Sequence, residues 1–182
     1  MRDQADAATI RTPRLLISPF SERHLTEKYV GWLNDAQLMR YSEQRHKRHS
    51  LETCRAYLQS FTGTPHYFWA IEDTATGLEH IGNINSYVDL RNQVADVGIL
   101  VGDTRASGQG LALEAWTAVC TFLLEKCGMR KVTAGTMASN VAMIRLAQKA
   151  GMTDDGVRRR QLLHEGRETD VVYFALFRQQ LR

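Results

Sequence analysis

"DTRASGQGLALEA", Asp103 to Ala115, sets small residues and a pair of glycines between an apolar run and a segment with the spacing of a long helix. Gly108 and Gly110 let the backbone approach a ligand closely, and the first amides of a helix point outward without partners of their own. Arg105, Gly108 and Gly110 read as R-x-x-G-x-G. With a strand before it and a helix after it, such a turn predicts an anion site, to which the helix dipole adds partial positive charge. A glycine-rich turn that holds nothing is the alternative. The loop is not a P-loop, since it lacks G-K-[ST], nor a full dinucleotide fingerprint, because Leu-Ala-Leu follows Gly110.

Upstream of the turn, "RLLISPF" (Arg14 to Phe20) predicts a strand ended by Pro19, and Ser21 a helix cap for a segment running to Leu33. Asn34 and Asp35 break that helix. "SLETCRAYLQSF" predicts a second helix capped by Ser50, with Leu51, Cys54, Tyr57, Leu58 and Phe61 along one side. From Tyr67 the rhythm changes to short strands, "YFWAIED", "HIGNINSYVD" and "QVADVGILVG", which read as an antiparallel meander. Downstream, a buried helix from Gln109 to about Lys126 is followed by the strand "RKVTAGTM" and the helix "SNVAMIRLAQKAGM", closed by Gly151. A hairpin turning at "HEG" ends the chain. The sum is one domain over residues 1–182, with 1–12 a flexible leader, in the α/β (α+β) class: a mixed sheet flanked by helices.

Composition narrows the setting. With 182 residues, 43% hydrophobic and 24% charged, the chain is long enough for one well-buried core and fits a soluble globular protein. The acidic opening "MRDQADAATI" is unlike a signal peptide, and no run approaches the ~20 apolar residues of a membrane span, so a cytoplasmic location is expected. Cys54, Cys120 and Cys127 lack paired metal-ligand spacing and read as reduced thiols. A net charge of +3 favours anionic partners mildly, with local concentrations at "RHKRH" (Arg45 to His49) and "RRR" (Arg158 to Arg160). Neither is interleaved with aromatic residues, so nucleic acid is not expected as a partner.

"ADVGILVGDTRASGQGLALEA" resembles the strand and pyrophosphate loop of the GNAT acetyl-CoA-dependent N-acetyltransferases, and "NVAMIRLAQKAGM" (Asn140 to Met152) resembles that family's Asn-led second motif. "TPRLLISPF", "VGWLNDAQLMRYSE" and the closing "GVRRRQLLHEGRETDVVYFALF" are similar to its Rim-type branch, which acetylates ribosomal-protein N-termini. The W-L-N-D element is also similar to relatives that acetylate amino-sugar nucleotides. The resemblance implies a mostly antiparallel sheet of about seven strands with a splayed central pair, and acetyl-CoA as co-substrate without a metal. It places the pantetheine on the backbone of Leu100 and Val101, the pyrophosphate on the amides of Arg105, Ala106, Ser107, Gly108, Gln109 and Gly110, and Asn140 beside the pantetheine arm. Ser139 and Asn140 are equally ordinary helix-capping residues.

Acetyl transfer to an amine needs a neutral nitrogen, an oxyanion donor and a proton for the leaving thiolate. Asp96 is the candidate base, since strands disfavour Asp and its position matches an acidic one used by some relatives; a solvated edge residue or an arginine partner is the plain alternative. The general acid departs from the pattern: the positions of the family's Tyr or Ser hold Ala147 and Met143, leaving water, Ser139, Tyr41 or Tyr87. Tyr41, Glu43, Arg45 and His80 are the candidate acceptor contacts, with Arg45 suited to a phosphate or a carboxylate. The expected acceptor is a small-molecule amine such as an amino-sugar nucleotide; a protein N-terminus is the alternative, and a non-catalytic CoA-binding module the rival of another class. A monomer or a homodimer both fit.

Overall fold

The computed structural model describes residues 8–77 and 79–181. Strands β1 (Ile10–Arg11), β2 (Leu15–Pro19), β3 (Tyr67–Asp73), β4 (Glu79–Asp89), β5 (Val94–Val101), β6 (Lys131–Met137), β7 (Thr153–His164) and β8 (Arg167–Phe177) form one sheet in the order β1-β2-β3-β4-β5-β6-β8-β7. Every neighbouring pair is antiparallel except β5 and β6.

Five α-helices accompany the sheet among the described residues: α1 (Glu27–Asn34), α2 (Ala36–Met39), α3 (Leu51–Gln59), α4 (Leu111–Glu125) and α5 (Val141–Lys149). Two apolar layers follow from the strands' alternation. Ile17, Trp69, Ile84, Val97 and Val132 turn to the back, where Leu111, Ala115, Trp116, Val119 and Leu123 of α4 cover them. Phe68, Ala70 and Leu100 turn to the front, against Tyr29, Val30 and Trp32 of α1 and Cys54 of α3.

The eight strands fit the expected sheet of about seven, the additional edge strand coming from part of the expected leader. Ala8 is buried and accepts the indole N–H of Trp69 at 2.8 Å, and Ile10 and Arg11 pair with Ile17 and Leu16; residues 1–7 lie outside the described residues. The single helix expected from Ser21 to Leu33 is two pieces, a 3-10 turn at Glu22–His24 and then α1. Two caps compete within this segment. The His24 imidazole accepts the Ser21 N–H at 2.9 Å, and five residues after Ser21 the Thr26 hydroxyl accepts from the Tyr29 N–H, restarting the helix.

The decisive feature lies at the parallel pair. β5 and β6 are in register only at Val94, Ala95 and Asp96 against Lys131, Val132 and Thr133, and beyond Asp96 they part. The central pair is splayed, as the resemblance implied.

Candidate active site

A cavity of about 1060 Å³ runs through the sheet at this splay. Its back half is lined by Ala112 of α4 and by Asn140, Ala142, Met143 and Leu146 at the start of α5. Its front half lies among α1, α2, α3 and the segment 40–49 between them. Leu100 and Val101 line the passage. Gly98 and Gly135, on its two strand walls, present no side chain to it.

At the turn that precedes α4, Asp103 is the organising residue. Its side chain is nearly enclosed, accepts from the Arg105 N–H at 3.0 Å and from Lys28 Nζ at 2.9 Å, and pairs with the Arg105 guanidinium. The Arg105 hydrogen bond, opposed by desolvation and helped by Lys28, holds the Asp103 carboxyl far below the usual carboxylate range. This arrangement corrects part of the expected phosphate cradle. The N–H groups of Arg105, Ala106 and Ser107 are engaged inside the turn, with Asp103 Oδ1, Asp103 O and Thr104 O as their acceptors. The amides of Gly108, Gln109 and Gly110 have no acceptor among the described residues. Both glycines hold positive φ, 75° and 78°, and Gly110 is the residue from which α4 starts. The half of the loop whose amides are free is therefore the second, with the amino end of a 15-residue helix behind it. Arg14 clamps it from the side: Nη1 donates to Gln109 O at 2.9 Å, and Nε donates to Glu114 Oε2 at 2.7 Å.

Asn140 caps α5, its Oδ1 accepting from the Met143 N–H at 3.2 Å and its Nδ2 donating to Thr136 Oγ1 at 3.0 Å, while it also lines the cavity. Asn140 thus caps the helix and faces the cavity at once.

Asp96 is not brought to the cavity. It sits at the last paired position of β5, where Thr133 Oγ1 donates to its Oδ2 at 2.8 Å, and its neighbour across β4 is Tyr87. By area its residue is exposed, yet surrounding protein atoms crowd its carboxyl enough for desolvation to raise its pKa, opposed by the Thr133 hydrogen bond.

Of the expected acceptor contacts, Tyr41 and Glu43 line the front half. Tyr41 packs against His164 of the β7–β8 hairpin with the rings tilted by 34° and their centroids 5.5 Å apart. Arg45 does not line this cavity. It borders a separate hollow of about 370 Å³, pairs with Glu43, and donates from Nη2 to Leu163 O at 3.0 Å, fastening the hairpin to the front segment. His80 is also displaced: its ring lies in a nest of Phe20, His24, Tyr29 and Trp32, with centroids 5.1–6.1 Å away. Burial first, and the neighbouring His24 second, push its pKa down to about 4, so it is a neutral core residue.

Sequence reading missed His49, Tyr57, Asn83 and Asn85, all of which line the cavity. The signals were present: Asn at alternate strand positions shares one face, and a glycine inside a strand marks close approach. Of the hydroxyls considered as proton donors, Tyr41 lines the cavity, whereas Ser139 and Tyr87 do not.

A family model described as an acetyltransferase (GNAT) domain matches residues 14–153. Among solved structures, an acetyltransferase of the GNAT family from Bacillus anthracis aligns with 19% identity and a TM-score of 0.80, over 94% of this chain and 99% of that one. A spermidine N-acetyltransferase from Vibrio cholerae, in complex with CoA and spermine, aligns with 14% identity and a TM-score of 0.81, over 92% and 98%. An acetyl transferase from Salmonella typhimurium that modifies the N-terminal serine of ribosomal protein L7/L12 aligns with 19% identity and a TM-score of 0.79, over 93% and 98%. At these identities the likeness is one of fold.

Proposed function

Since the chain belongs to the GNAT acetyltransferase family, and is an acyl-CoA-dependent N-acetyltransferase, we propose that its acceptor is a small-molecule primary amine with a negatively charged body, such as an amino-sugar nucleotide. The observation that carries this reading is the charge at the front of the cavity. Arg40, Lys47 and Arg48 line it, while Glu43 is the one carboxylate among the described lining residues and is already paired with Arg45. Cations that have no ion-pair partner among the described residues attract an anion and repel a polycation. A polyamine would meet no free carboxylate among the described lining residues.

The free amides of Gly108, Gln109 and Gly110 fit the pyrophosphate of acetyl-CoA, and the unpaired stretch of β5 beyond Asp96 fits its pantetheine amides. With the thioester held in the splay, the acceptor enters from the front, through a mouth that the Arg45–Leu163 contact frames with the β7–β8 hairpin. Proton removal from the amine falls to groups or water within the front half, since Asp96 lies outside it. A protein N-terminus rich in acidic residues is the second reading, favoured by the hairpin's position at that mouth.

The test is thiol release from acetyl-CoA with an amino-sugar nucleotide, the same amino sugar without phosphate, spermidine, and acidic and neutral N-terminal peptides. The phosphorylated acceptor is expected to lead, with the Lys47→Ala/Arg48→Ala double variant losing most of that preference. Turnover of spermidine above the rest would overturn the assignment, and turnover of acidic peptides alone would establish the second reading.

A further inference from the structure

β4 carries two asparagines, Asn83 and Asn85, opposite Leu100 and Gly98 of β5. Alternation puts both on one face, and both line the cavity. Asn83 is only 8% exposed, yet its Oδ1 is closed off from solvent without a hydrogen-bond donor. A buried carbonyl-type oxygen left unmatched is costly and calls for an explanation. Asn85 also has no side-chain partner on the protein, and its Oδ1 lies over Gly98, where an added Cβ would come within 2.8 Å of it. Across the splay, Gly135 is similarly bare beneath the Tyr173 ring, which an added Cβ would approach to 2.7 Å. One buried carboxamide oxygen without a donor and a second, half-buried carboxamide without a side-chain partner among the described residues thus line the same passage.

We infer that the Asn83 and Asn85 carboxamides hold the amino group of the acceptor at the thioester. This rests on the reading of the site as one for acetyl transfer to an amine. A neutral primary amine has two N–H donors and one lone pair. Two carboxamide oxygens accept both N–H groups and leave the lone pair unengaged for attack. The oxygen is the sealed end of the Asn83 carboxamide and finds no donor there; a half-turn about Cβ–Cγ exchanges the two ends and brings the oxygen to the cavity that the group lines, with the NH₂ taking the sealed position. Neutral oxygens also suit the chemistry better than carboxylates. A carboxylate beside the nitrogen would favour the ammonium form, which has no lone pair to give.

The experiment uses the full chain labelled with ¹⁵N-asparagine and saturated with desulfo-CoA, which cannot react. Glycinamide is the probe, because its α-amino group is half neutral near pH 8 and it is the smallest amine common to sugar-like and peptide acceptors. The side-chain NH₂ signals of Asn83 and Asn85, assigned with Asn83→Leu and Asn85→Leu, are expected to move and saturate. Those of Asn34 and Asn92, already bonded to His49 and Asp89, should stay still. N-acetylglycinamide, which lacks the amine, should move neither pair. No movement of the Asn83 and Asn85 signals up to the solubility of glycinamide would overturn the inference, whatever the acceptor panel shows.

For an acceptor that the panel turns over, Asn83→Leu is expected to raise the acceptor KM about tenfold, one net hydrogen bond's worth, with the acetyl-CoA KM unchanged. Asn83→Asp should displace the acid limb of kcat/KM to higher pH. A merely structural asparagine would leave that limb where it is, which would count against the inference. A panel without turnover would sink the proposed acceptor while the glycinamide titration still decides this one.

Discussion

Replacing His80 by Phe tests whether the histidine nest is a core element or part of the site. The His80 pKa is pushed down to about 4, against about 6.5 in an unfolded chain. Between those values the unfolded state binds a proton that the folded state refuses, so stability must rise with pH through that window. At pH 5 the cost of keeping this imidazole neutral is about 2 kcal/mol, and below pH 4 it levels off near about 3 kcal/mol. His24 is lowered too, chiefly by desolvation, and adds in the same direction. Asp103 loses its ion pairs only at still lower pH, since its carboxyl is held far below the ordinary range. Phe keeps a flat ring among Phe20, Tyr29 and Trp32 but removes the titration. Urea unfolding of both proteins at pH 7.5 and pH 5 should therefore show the wild type losing about 2 kcal/mol more than His80→Phe across that interval. Parallel losses would mean that the imidazole is reached by water and that its burial has been misjudged.

Three further outcomes follow from the same coordinates. Gly108→Val should weaken CoA binding at least tenfold by calorimetry: the site is open space at φ 75°, so the new side chain enters the volume in front of the free amides. The left-handed backbone adds about 1–2 kcal/mol of strain, visible as a small fall in Tm. Gly102→Ala should cost about 1–3 kcal/mol in urea unfolding and alter Trp32 fluorescence, because its Cβ would fall 1.9 Å from the indole. Asp96→Asn should leave kcat within about twofold, as the residue lies outside the cavity; a fall of about a hundredfold, the least a general base is worth, would return it to the mechanism.

Much of this architecture was legible in the chain. The loop after β5, the long buried helix behind it and the closing hairpin all announce themselves through glycine placement and apolar spacing, and they lie where those signals put them. What failed to show has identifiable causes. Asp103 sits outside R-x-x-G-x-G, so nothing local reveals that it would use the first half of the loop's amides for the turn itself. Asp96 was singled out as a polar residue in a strand, and that argument is sound in kind. It was not applied to Asn83 and Asn85, two positions apart in "GNINSY", which the cavity does contain. Whether a polar strand residue meets solvent, a core nest or a cavity depends on where β5 and β6 part. That point is set by pairing between segments separated by a helix, and no short window records it.

The Arg14 clamp ties the loop to a strand about a hundred positions earlier: Arg14 and Thr12 grip Glu114, and Arg14 also holds the Gln109 carbonyl. As the chain leaves the ribosome, β2 must wait for α4 before either is anchored, and the phosphate cradle gains its shape only when they meet. Affinity for CoA is in this sense a report on whether the front of the polypeptide has docked. A tag or truncation that loosens Arg11 to Leu15 would be felt at a loop it never touches.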